Sequence, residues 1–522
     1  MVVGGDAAAL LADDAFRTAW ARLWTSCPWA TPFQGPDFAR AWYASYLPDF
    51  APVLVVSRRP DGGLSGLLPL AMATGPATEG SARLVVGGGW QAEYHGWICG
   101  PEQAGAFPRA ALGAVRATFP AATLRFRYLP PGTPLDGLRG LGFLLRTHRR
   151  PLLRFGDGSH LEAALRKGSN RSRLRRLEKV GPVHLRRLTS AAELDAVLDE
   201  IVLYHDTRQL AAYGGTAFGG DPHKRAFHLA MADRPGLLHM TVLDVGGRVA
   251  AAHLGADSGA EVHLGLLAHD PWLARHSPGK FLIYYLAKLL HEQGYHQLDL
   301  TPGRDPYKPR FANDADEVVS LEVLPGSPVR RAIVLAGKAV GKLRRGGRPA
   351  SGPQPDDRAA PSEIWVRPPG PLPPTEPAGS PAEVRIDRLA DLLEYAPAPG
   401  DPPAPEFMSA ALHRIGLGER FYTRTAGGRL LEAAWIAGPA PDGRGGAPGP
   451  DAAPAALVHG LYSAGGSLDA LLRRVVRDAV DTEPALRIVA EVGADDPVAR
   501  RAVRAAGFAR VPAPSGDVRP EP

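Results

Sequence analysis

The strongest constraint on the fold lies in residues 238–300, where short apolar stretches alternate with glycine-containing turns. The segment LLHMTVLDVGGRVAAAHLGADSGAEVHLGLLAHD predicts a strand, a Gly-Gly turn, a second strand, another turn and a third strand. A segment with helical apolar spacing follows, SPGKFLIYYLAKLLHEQG, and YHQLDL closes the series as one more strand. Three strands, a helix and a final strand in this order predict a mixed α/β unit.

The same order of elements occurs nearer the N-terminus. The predicted strands PVLVVSRR and LSGLLPLAMA flank the turn DGG, and SARLVVGGG and YHGWICG indicate further strands. A helix, AGAFPRAALGAVRATF, and a strand, AATLRFRYL, complete the series. The residues differ between the two segments, so the shared order of elements is what predicts two copies of one α/β unit.

The chain is too long for one ordinary core. At about 150 residues per domain, 522 residues predict about three domains, and the clustering of the 52 prolines indicates joints between folded blocks. We predict four segments. They are an N-terminal half at 1–150, a second half with the active site at 151–330, a basic segment and Pro/Gly-rich linker at 331–383, and a C-terminal domain at 384–513.

The charge distribution indicates anionic partners. The net charge is +6, and residues 160–181 form a strongly basic helix or helix pair. Such a run is usually a solvated surface, and the alternative is a binding surface for acidic glycans or for tRNA. A second basic amphipathic segment begins after residue 326.

The cysteines and the N-terminus predict a compartment. Cys27 and Cys99 give neither a metal-ligand spacing nor a disulfide framework, which favours a reducing environment. The N-terminus carries acids where a signal peptide needs Lys or Arg, and no run of 18 apolar residues occurs. We therefore expect a cytoplasmic chain without a transmembrane helix. The histidines are scattered without an H-E-x-x-H motif, so we expect no metal.

The turn before the second predicted helix has the composition of a phosphate-binding loop. A helix N-terminus offers unpaired N–H groups and a positive dipole end, which together favour an anion. Gly279 would let a ligand approach the backbone, Arg275 or Lys280 would add positive charge, and Ser277 stands at the start of the helix. The alternative is that the Ser-Pro pair only begins the helix, where this pair is common.

These features together resemble a known family. The resemblance rests on SPGKFL at 277–282, on G-x-x-x-L-D-L-x-x-G ending at Gly303, and on the D-x-Y-K of 305–308. His205 and Arg208 form an H-x-x-R pair, RKGSNRSRLRRLEKVG is a basic helix, and TPFQGPDF begins the N-terminal half. Residues 25–325 thus resemble the CelD-like (cellulose-biosynthesis-type) acyltransferases of the GNAT superfamily, which are related to the FemAB-type aminoacyltransferases.

The resemblance implies a fold and a reaction. The fold would be a tandem of GNAT-like units with mixed sheets, and the reaction would move an acyl group, acetyl or longer, from acyl-CoA to an amine or hydroxyl. A polysaccharide or cell-envelope precursor is the implied acceptor. Two alternatives stay open: a FemAB-like transferase that uses aminoacyl-tRNA, and a non-catalytic binding or scaffold protein of a polysaccharide-synthesis system.

The resemblance also implies site residues, each with a plainer alternative. Asp299, Tyr307 and Lys308 are candidates for proton transfer, and His205 with Arg208 for contact with the acceptor. Alternatively, Asp299 caps the following turn, Tyr307 is a packed lid and Lys308 is a solvated loop residue. The H-x-x-R pair would then be solvated or held by hydrogen bonds in the core.

The C-terminal segment resembles a further GNAT unit. VAEVGADDPVARRAVRAAGFARV is similar to the terminal strand, helix and G-F strand of the superfamily. The preceding SAGGSLDALL has only two glycines at the phosphate loop and no Arg or Gln before them. We predict a degenerate, non-catalytic GNAT-like domain, and an unrelated Ala-rich domain is the alternative.

Overall fold

A computed structural model describes most of the chain. The described residues are 1–74, 83–139, 141–303, 305–345, 362–369, 383–438, 455–465, 467–483 and 486–511. Most of the predicted linker and of a predicted loop at 437–454 lies outside them. The described residues form two compact units: a first unit of Met1–Val202, Phe218–Asp270 and His276–Ala350, and a second unit of Leu203–Ala217, Pro271–Arg275 and Ser351–Pro522.

The first unit contains a five-stranded antiparallel sheet from the N-terminal half. Its strands are β1 (Val2–Val3), β2 (Phe50–Arg58), β3 (Leu64–Ala73), β4 (Leu84–Val86) and β5 (Ile98–Cys99). The accompanying helices are α1 (Gly5–Ala12), α2 (Asp14–Ser26), α3 (Pro36–Tyr46) and α4 (Ala106–Thr118). The β2–β3 hairpin turns at the predicted DGG, where Gly62 adopts a positive φ of 83°.

An eight-stranded sheet forms the rest of the first unit. Its strands are β6 (Leu124–Phe126), β7 (Phe143–Arg154), β8 (Val183–Leu188), β9 (Leu238–Val245), β10 (Arg248–Asp257), β11 (Glu261–His269), β12 (Gln297–Asp299) and β13 (Asp314–Val323). The helices that follow the same stretch of chain are α5 (Ser159–Arg166), α6 (Gly168–Glu178), α7 (Ala191–Tyr213), α8 (Lys224–Ala232), α9 (Pro278–Glu292), α10 (Lys308–Phe311) and α11 (Pro328–Arg345). The end of α7 belongs to the second unit.

The strand order of the large sheet is β6-β13-β7-β12-β11-β10-β9-β8. Only β11 and β12 pair in parallel among its described strands, because α9 carries the chain back to the start of the sheet between them. The predicted strand at 121–129 is found as β6, but it joins this sheet by pairing with β13. The last strand of the N-terminal half is thus built into the second half.

Helix α9 is held against the sheet by its apolar side. Phe281, Leu282, Leu286 and Leu290 are buried, as the helical spacing predicts. Gly294 follows the helix with a φ of 86°, a left-handed conformation that glycine adopts without strain. The start of α9 is therefore fixed at the edge where β11 ends.

The second unit is built on a seven-stranded sheet of order β15-β16-β17-β18-β19-β14-β20. The strands are β14 (Ser362–Arg367), β15 (Arg385–Ile386), β16 (Arg420–Ala426), β17 (Arg429–Ala437), β18 (Ala455–Ser463), β19 (Arg487–Gly493) and β20 (Ala509–Arg510). The helices are α12 (Leu389–Leu392), α13 (Ala404–Leu417), α14 (Asp469–Thr482) and α15 (Pro497–Ala505). Strand β14 lies within the segment 331–383 and pairs with both β19 and β20.

These sheets confirm the predicted fold class, a mixed α/β architecture with several mixed or antiparallel sheets. The boundaries of the four predicted segments stay a prediction. In the part of the chain that the structure describes, no helix is both long enough and apolar enough to cross a membrane.

Candidate active site

The site begins where two parallel strands separate. Strands β11 and β12 pair through Glu261, Val262 and His263, opposite Gln297 to Asp299, and β12 then ends while β11 continues to His269. The hydroxyl of Thr301 lies 3.4 Å from the carbonyl oxygen of Leu264, just past the last pair. The resemblance to GNAT enzymes implies that backbone groups of residues 264–268 polarise the acyl carbonyl, and this stretch of β11 lies beyond the parallel pairing.

A β-bulge lies beside this opening. The β10–β11 register shifts between Leu254 and Ala256, opposite residues 263–266. A side-chain carbon at Gly265 would lie 2.7 Å from the carbonyl oxygen of Leu254, a distance too short for any other residue. Gly265 therefore lets β11 bend next to the point where it leaves β12.

Helix α9 begins at this edge. Ser277 is its N-cap residue, with a left-handed φ of 58°, and its hydroxyl does not cap the helix. Ser277 is thus not the ordinary hydroxyl cap that would explain the Ser-Pro pair as a helix start alone. A side-chain carbon at Gly279 would lie 3.6 Å from Nδ1 of His269, an ordinary contact distance, so backbone geometry does not require glycine there.

The first turn of α9 is positively charged, because three further cationic residues lie near Lys280. The ammonium of Lys280 donates a hydrogen bond of 2.8 Å to Oδ1 of the buried Asn170 on α6. Burial lowers the pKa of Lys280, and the positive charges of Arg173, Lys167 and Arg310 lower it further. The potential here is positive and only partly neutralised, which is the condition under which an anion binds.

The buried end of β12 holds an ionised cluster. Asp299 is fully buried, and its Oδ2 accepts hydrogen bonds from Tyr94 Oη (2.6 Å), His263 Nδ1 (3.0 Å) and Arg150 Nη1 (3.3 Å). Its Oδ1 accepts from the Thr301 backbone N–H at 2.7 Å, which is the turn cap that the sequence allows. Asp299 is therefore both a cap and the centre of a network.

The charges in this cluster are set by its hydrogen bonds. Burial alone would raise the pKa of Asp299, but the hydrogen bond and charge of His263, with the charge of Arg150, outweigh it and lower the pKa. Burial alone would lower the pKa of His263, and its contact with Asp299 raises it instead. Both shifts favour the form of the pair in which His263 is an imidazolium and Asp299 a carboxylate.

Arg150 supplies the remaining positive charge. Its guanidinium donates two hydrogen bonds to Asp316, of 2.7 and 2.6 Å, and lies 3.9 Å from Glu261. Glu261, His263 and Asp299 have ligand atoms within 4.8 Å of one another and could in principle hold a metal ion. Arg150 lies against two of these three residues, so the carboxylates already face a cation.

The N-terminal half supports this cluster. The ring of Phe33 lies 5.5 Å from that of His263, and the side-chain amide of Gln34 donates a hydrogen bond of 2.8 Å to the carbonyl of Tyr94. Both residues belong to TPFQGPDF, so this segment orders the cluster under β12. Sequence reasoning missed Tyr94, Arg150 and His263. The available signal was a histidine inside the apolar strand EVHLGLL.

Lys308 closes the turn after β12. Its side chain is buried, with Nζ 3.2 Å from the carbonyl and from the hydroxyl of Thr301 and 3.2 Å from a carboxylate oxygen of Asp305. Thr301 has a left-handed φ of 59°, which these contacts stabilise. Lys308 is therefore not the solvated loop lysine that the sequence allows. Tyr307 precedes it as the N-cap residue of α10, half-buried, with its ring 6.5 Å from that of Phe311.

Three predicted site residues belong to the second unit. Arg275 is exposed, and a side-chain carbon at Gly418 would lie 3.3 Å from its Nη1. His205 is buried with its Nε2 3.4 Å from Nε2 of Gln209, and Arg208 is half-buried one turn further along α7. The first unit thus brings together Ser277, Gly279 and Lys280 at the start of α9, and Asp299 and Lys308 in the turn after β12.

The second unit repeats the arrangement of strand, helix and parallel strand. Strands β18 and β19 pair in parallel from Ala455–Arg487 to Val458–Ala490, and β18 continues to Ser463 before α14 begins at Asp469. Glu432 on β17 is fully buried; burial raises its pKa, the contact with Arg424 opposes this, and Asp469 adds to the rise. The helix start in this unit is therefore acidic.

Part of the chain matches a known protein family. Residues 165–309 match the profile of the acetyltransferase (GNAT) domain. No curated protein matches the chain. Among solved structures, FemX is similar at 12% identity and a TM-score of 0.44 over 61% of this chain and 98% of FemX.

Two further solved structures match the chain at low identity. L-PGS from Bacillus licheniformis has 12% identity and a TM-score of 0.37, over 59% of this chain and 97% of its own. A tandem GNAT protein from the clavulanic acid biosynthesis pathway has 16% identity and a TM-score of 0.19, over 63% and 95%. The edge between β11 and α9 lies inside residues 165–309, so the candidate site belongs to a segment that matches a GNAT-type acyltransferase domain.

Proposed function

We propose that the first unit transfers an acyl group, acetyl in the simplest case, from acyl-CoA to an amine or hydroxyl acceptor. The observation that carries the proposal is the cationic start of α9, with Lys280 surrounded by Lys167, Arg173 and Arg310. It lies beside the separated strands within the segment that matches the GNAT domain. Helix N–H groups and these cations would hold the diphosphate of the donor, as they hold phosphates elsewhere.

The finer parts of the proposal concern the acceptor and the compartment. We propose a CelD-like role on a polysaccharide or cell-envelope precursor, carried out in the cytoplasm. His205 and Arg208 are proposed to contact the acceptor, and Arg275 to assist in donor binding. The support for these roles is the H-x-x-R pair and the loop sequence alone.

The chemistry asks little of the chain beyond positioning. The acceptor nitrogen or oxygen forms a bond to the acyl carbon and gives up a proton to solvent, the carbon–sulfur bond breaks, and the leaving thiolate takes up a proton. Backbone N–H groups of 264–268 would stabilise the negative charge on the acyl oxygen. We propose Tyr307 as the proton donor to the thiolate, with Lys308 and Asp299 as positioning residues that fix the turn before it.

A second candidate uses aminoacyl-tRNA as donor. The observation that favours it is the surface of α6, where Arg171, Arg175 and Arg176 are exposed while Arg173 is partly buried near Lys280. A row of exposed arginines continuous with a phosphate site is suited to a nucleic-acid backbone. A solvated surface remains the simpler explanation for such a row, so acyl-CoA is the first candidate.

Isothermal titration of the full chain with acetyl-CoA, longer acyl-CoAs and bulk tRNA tests the proposal. We expect saturable binding of at least one acyl-CoA, lost in Gly279→Trp because the indole would fill the space before the first turn. The matched control is Gly113→Trp, at another helical glycine whose added carbon meets nothing within 4 Å. Binding of tRNA without acyl-CoA would transfer the proposal to the second candidate, and binding of neither would leave a scaffold protein.

A further inference from the structure

Helix α11 has an apolar side that the fold does not use. Its sequence contains six basic and no acidic residues, and its apolar residues Val329, Ala332, Ile333 and Ala336 recur every three or four positions. Such spacing places them on one side of the helix. In a helix packed on a protein core this side would be buried.

Here the apolar side faces solvent. Val329 is 68% exposed and Ile333 59% exposed, and Ala332 and Ala336 are also exposed. Single exposed aliphatic residues are common on protein surfaces, whereas four on one side of one helix are not. The unit therefore presents a continuous aliphatic strip.

The other side of the helix fixes this orientation. Arg331 Nε donates a hydrogen bond of 3.3 Å to the carbonyl of Pro325, and its guanidinium carbon would lie 3.2 Å from a side-chain carbon at Gly142. Lys338 forms an ion pair with Glu322 of β13. Contacts through Arg331 and Lys338 hold these two residues towards the protein body and leave the aliphatic strip outward.

Strand β7 extends the apolar surface. Leu144, opposite Glu322 in the β7–β13 ladder, is 38% exposed and lies on the same face of the sheet as Glu322. The ion pair from Glu322 to Lys338 thus joins this part of β7 to α11. The exposed aliphatic residues are therefore the strip on α11 and Leu144 on the neighbouring strand.

We propose that α11 and the adjoining end of β7 bind to the surface of an anionic lipid bilayer. An amphipathic helix with an exposed aliphatic side and many Lys and Arg lies in the interface of a bilayer, with its apolar residues at the headgroup boundary. Arg330, which is exposed and follows Val329 on the helix, is a cation beside that boundary and would attract anionic headgroups. A nucleic acid would use the cations but would leave the aliphatic strip in water. The proposal is independent of the transferred group.

Vesicle sedimentation of the full chain tests this surface. We expect binding to vesicles of phosphatidylglycerol mixed with phosphatidylcholine, weakened by salt, and little binding to phosphatidylcholine alone. The double variant V329E/I333E should lower the apparent affinity at least about tenfold, because it places two carboxylates in the strip. The matched control is Leu417→Glu on α13, since Leu417 is 61% exposed and lies outside this surface.

Each result decides the proposal. Unchanged thermal unfolding and unchanged acyl-CoA binding in the double variant would show that the loss is confined to the membrane surface. The proposal is overturned if the wild type does not sediment with anionic vesicles, or if the double variant sediments as well as the wild type. It is also overturned if tRNA binds through α11 in place of vesicles, or if light scattering shows a dimer that the double variant abolishes.

Discussion

The first turns of α9 and α14 can be compared directly, because each helix follows a strand that extends beyond its pairing with the neighbouring parallel strand. Strand β11 continues beyond its pairing with β12, and β18 continues beyond its pairing with β19. At α9 the nearby charges are cations, and burial with like charge lowers the pKa of Lys280. At α14 the buried carboxylate of Glu432 is paired with Arg424, and burial, with Asp469 adding to it, raises the pKa of Glu432. Two equal backbone layouts thus carry opposite electrostatics.

This difference in charge indicates which helix start can bind the phosphates of an anionic donor. A phosphate at α9 would relieve the repulsion among Lys280, Arg173 and Lys167, so the local charge favours phosphate binding there. A phosphate at α14 would lie near Glu432 and Asp469 and would add repulsion. The proposal of a degenerate second unit therefore rests on charge as well as on the missing Arg or Gln in its loop.

The buried ion pairs in the two units also differ. Removing the arginine of the first unit gives the largest expected change in the free energy of unfolding. Arg150→Met should lower the free energy of unfolding by about 3–5 kcal/mol, because the buried Asp299 and the partly exposed Asp316 and Glu261 would lose their shared cation. Urea titration followed by hydrogen exchange in peptides of β7 and β12 measures it. Arg146→Met, on the exposed part of the same strand, is the control.

The equivalent change in the second unit should have a smaller effect. Arg424→Met leaves Glu432 without its ion-pair partner, but the pKa of Glu432 is already raised, so this carboxyl takes up a proton more readily than Asp299, whose pKa is lowered. Hydrogen exchange in peptides of β17 measures it. A loss as large as that of Arg150→Met would mean that Glu432 stays ionised, and the contrast between the two ion pairs would then be lost.

The charge at α9 predicts the next effect. Lys280→Glu should weaken acyl-CoA binding by about 100-fold, because like charges brought together at a binding site cost several kcal/mol. Titration calorimetry at low ionic strength measures it. Lys288→Glu, two turns further along the same helix and near Glu292, should change the affinity less than about threefold. Equal losses in both variants would mean that net charge, and not the helix start, governs the affinity.

The buried ion pair predicts a pH dependence. The raised pKa of His263 gives a stability contribution that is full below about 6.5 and is lost as the pH rises through the folded pKa. The lowered pKa of Asp299 gives one that is present above about 3.8 and is lost on acidification through the folded pKa. His263→Gln should therefore destabilise the first unit more at pH 6 than at pH 9. Thermal unfolding of both proteins at the two values measures this, and equal differences would contradict an imidazolium.

Buried neutral histidines oppose this trend on the acid side. Burial lowers the pKa of His239 to about 4 and that of His253 to about 3, so their contribution is full above about 6.5 and is lost towards those values. The hydrogen-bonded partner of His263 is a carboxylate, whereas the ring nitrogens of His239 and His253 have no hydrogen-bond partner among the described residues. The comparison of His263→Gln with wild type is therefore made at and above pH 6.

The sequence predicts local features of this site far better than its long-range contacts. The helical spacing after Ser277 and the glycine at 294 locate α9 within a residue or two, because both signals depend on neighbours along the chain. Tyr94 and Arg150 meet Asp299 from 205 and 149 residues away, and nothing local to either marks the contact. The pairing of β6 with β13 was missed for the same reason, since a strand pattern does not name its partner.

The smallest expected effect lies at α14. Asp469→Asn removes a carboxylate from the first helical turn, where a negative charge stabilises a helix by about 0.3–1 kcal/mol, and it also removes a repulsion from Glu432. The two contributions have opposite signs, so the free energy of unfolding should change by less than about 1 kcal/mol. The double variant Gly279→Trp/Asp469→Asn should show no binding when it is titrated with acyl-CoA. Binding by the double variant would mean that the carboxylate of Asp469 blocks a second donor site. The difference in charge between the starts of α9 and α14 would then depend on this one residue.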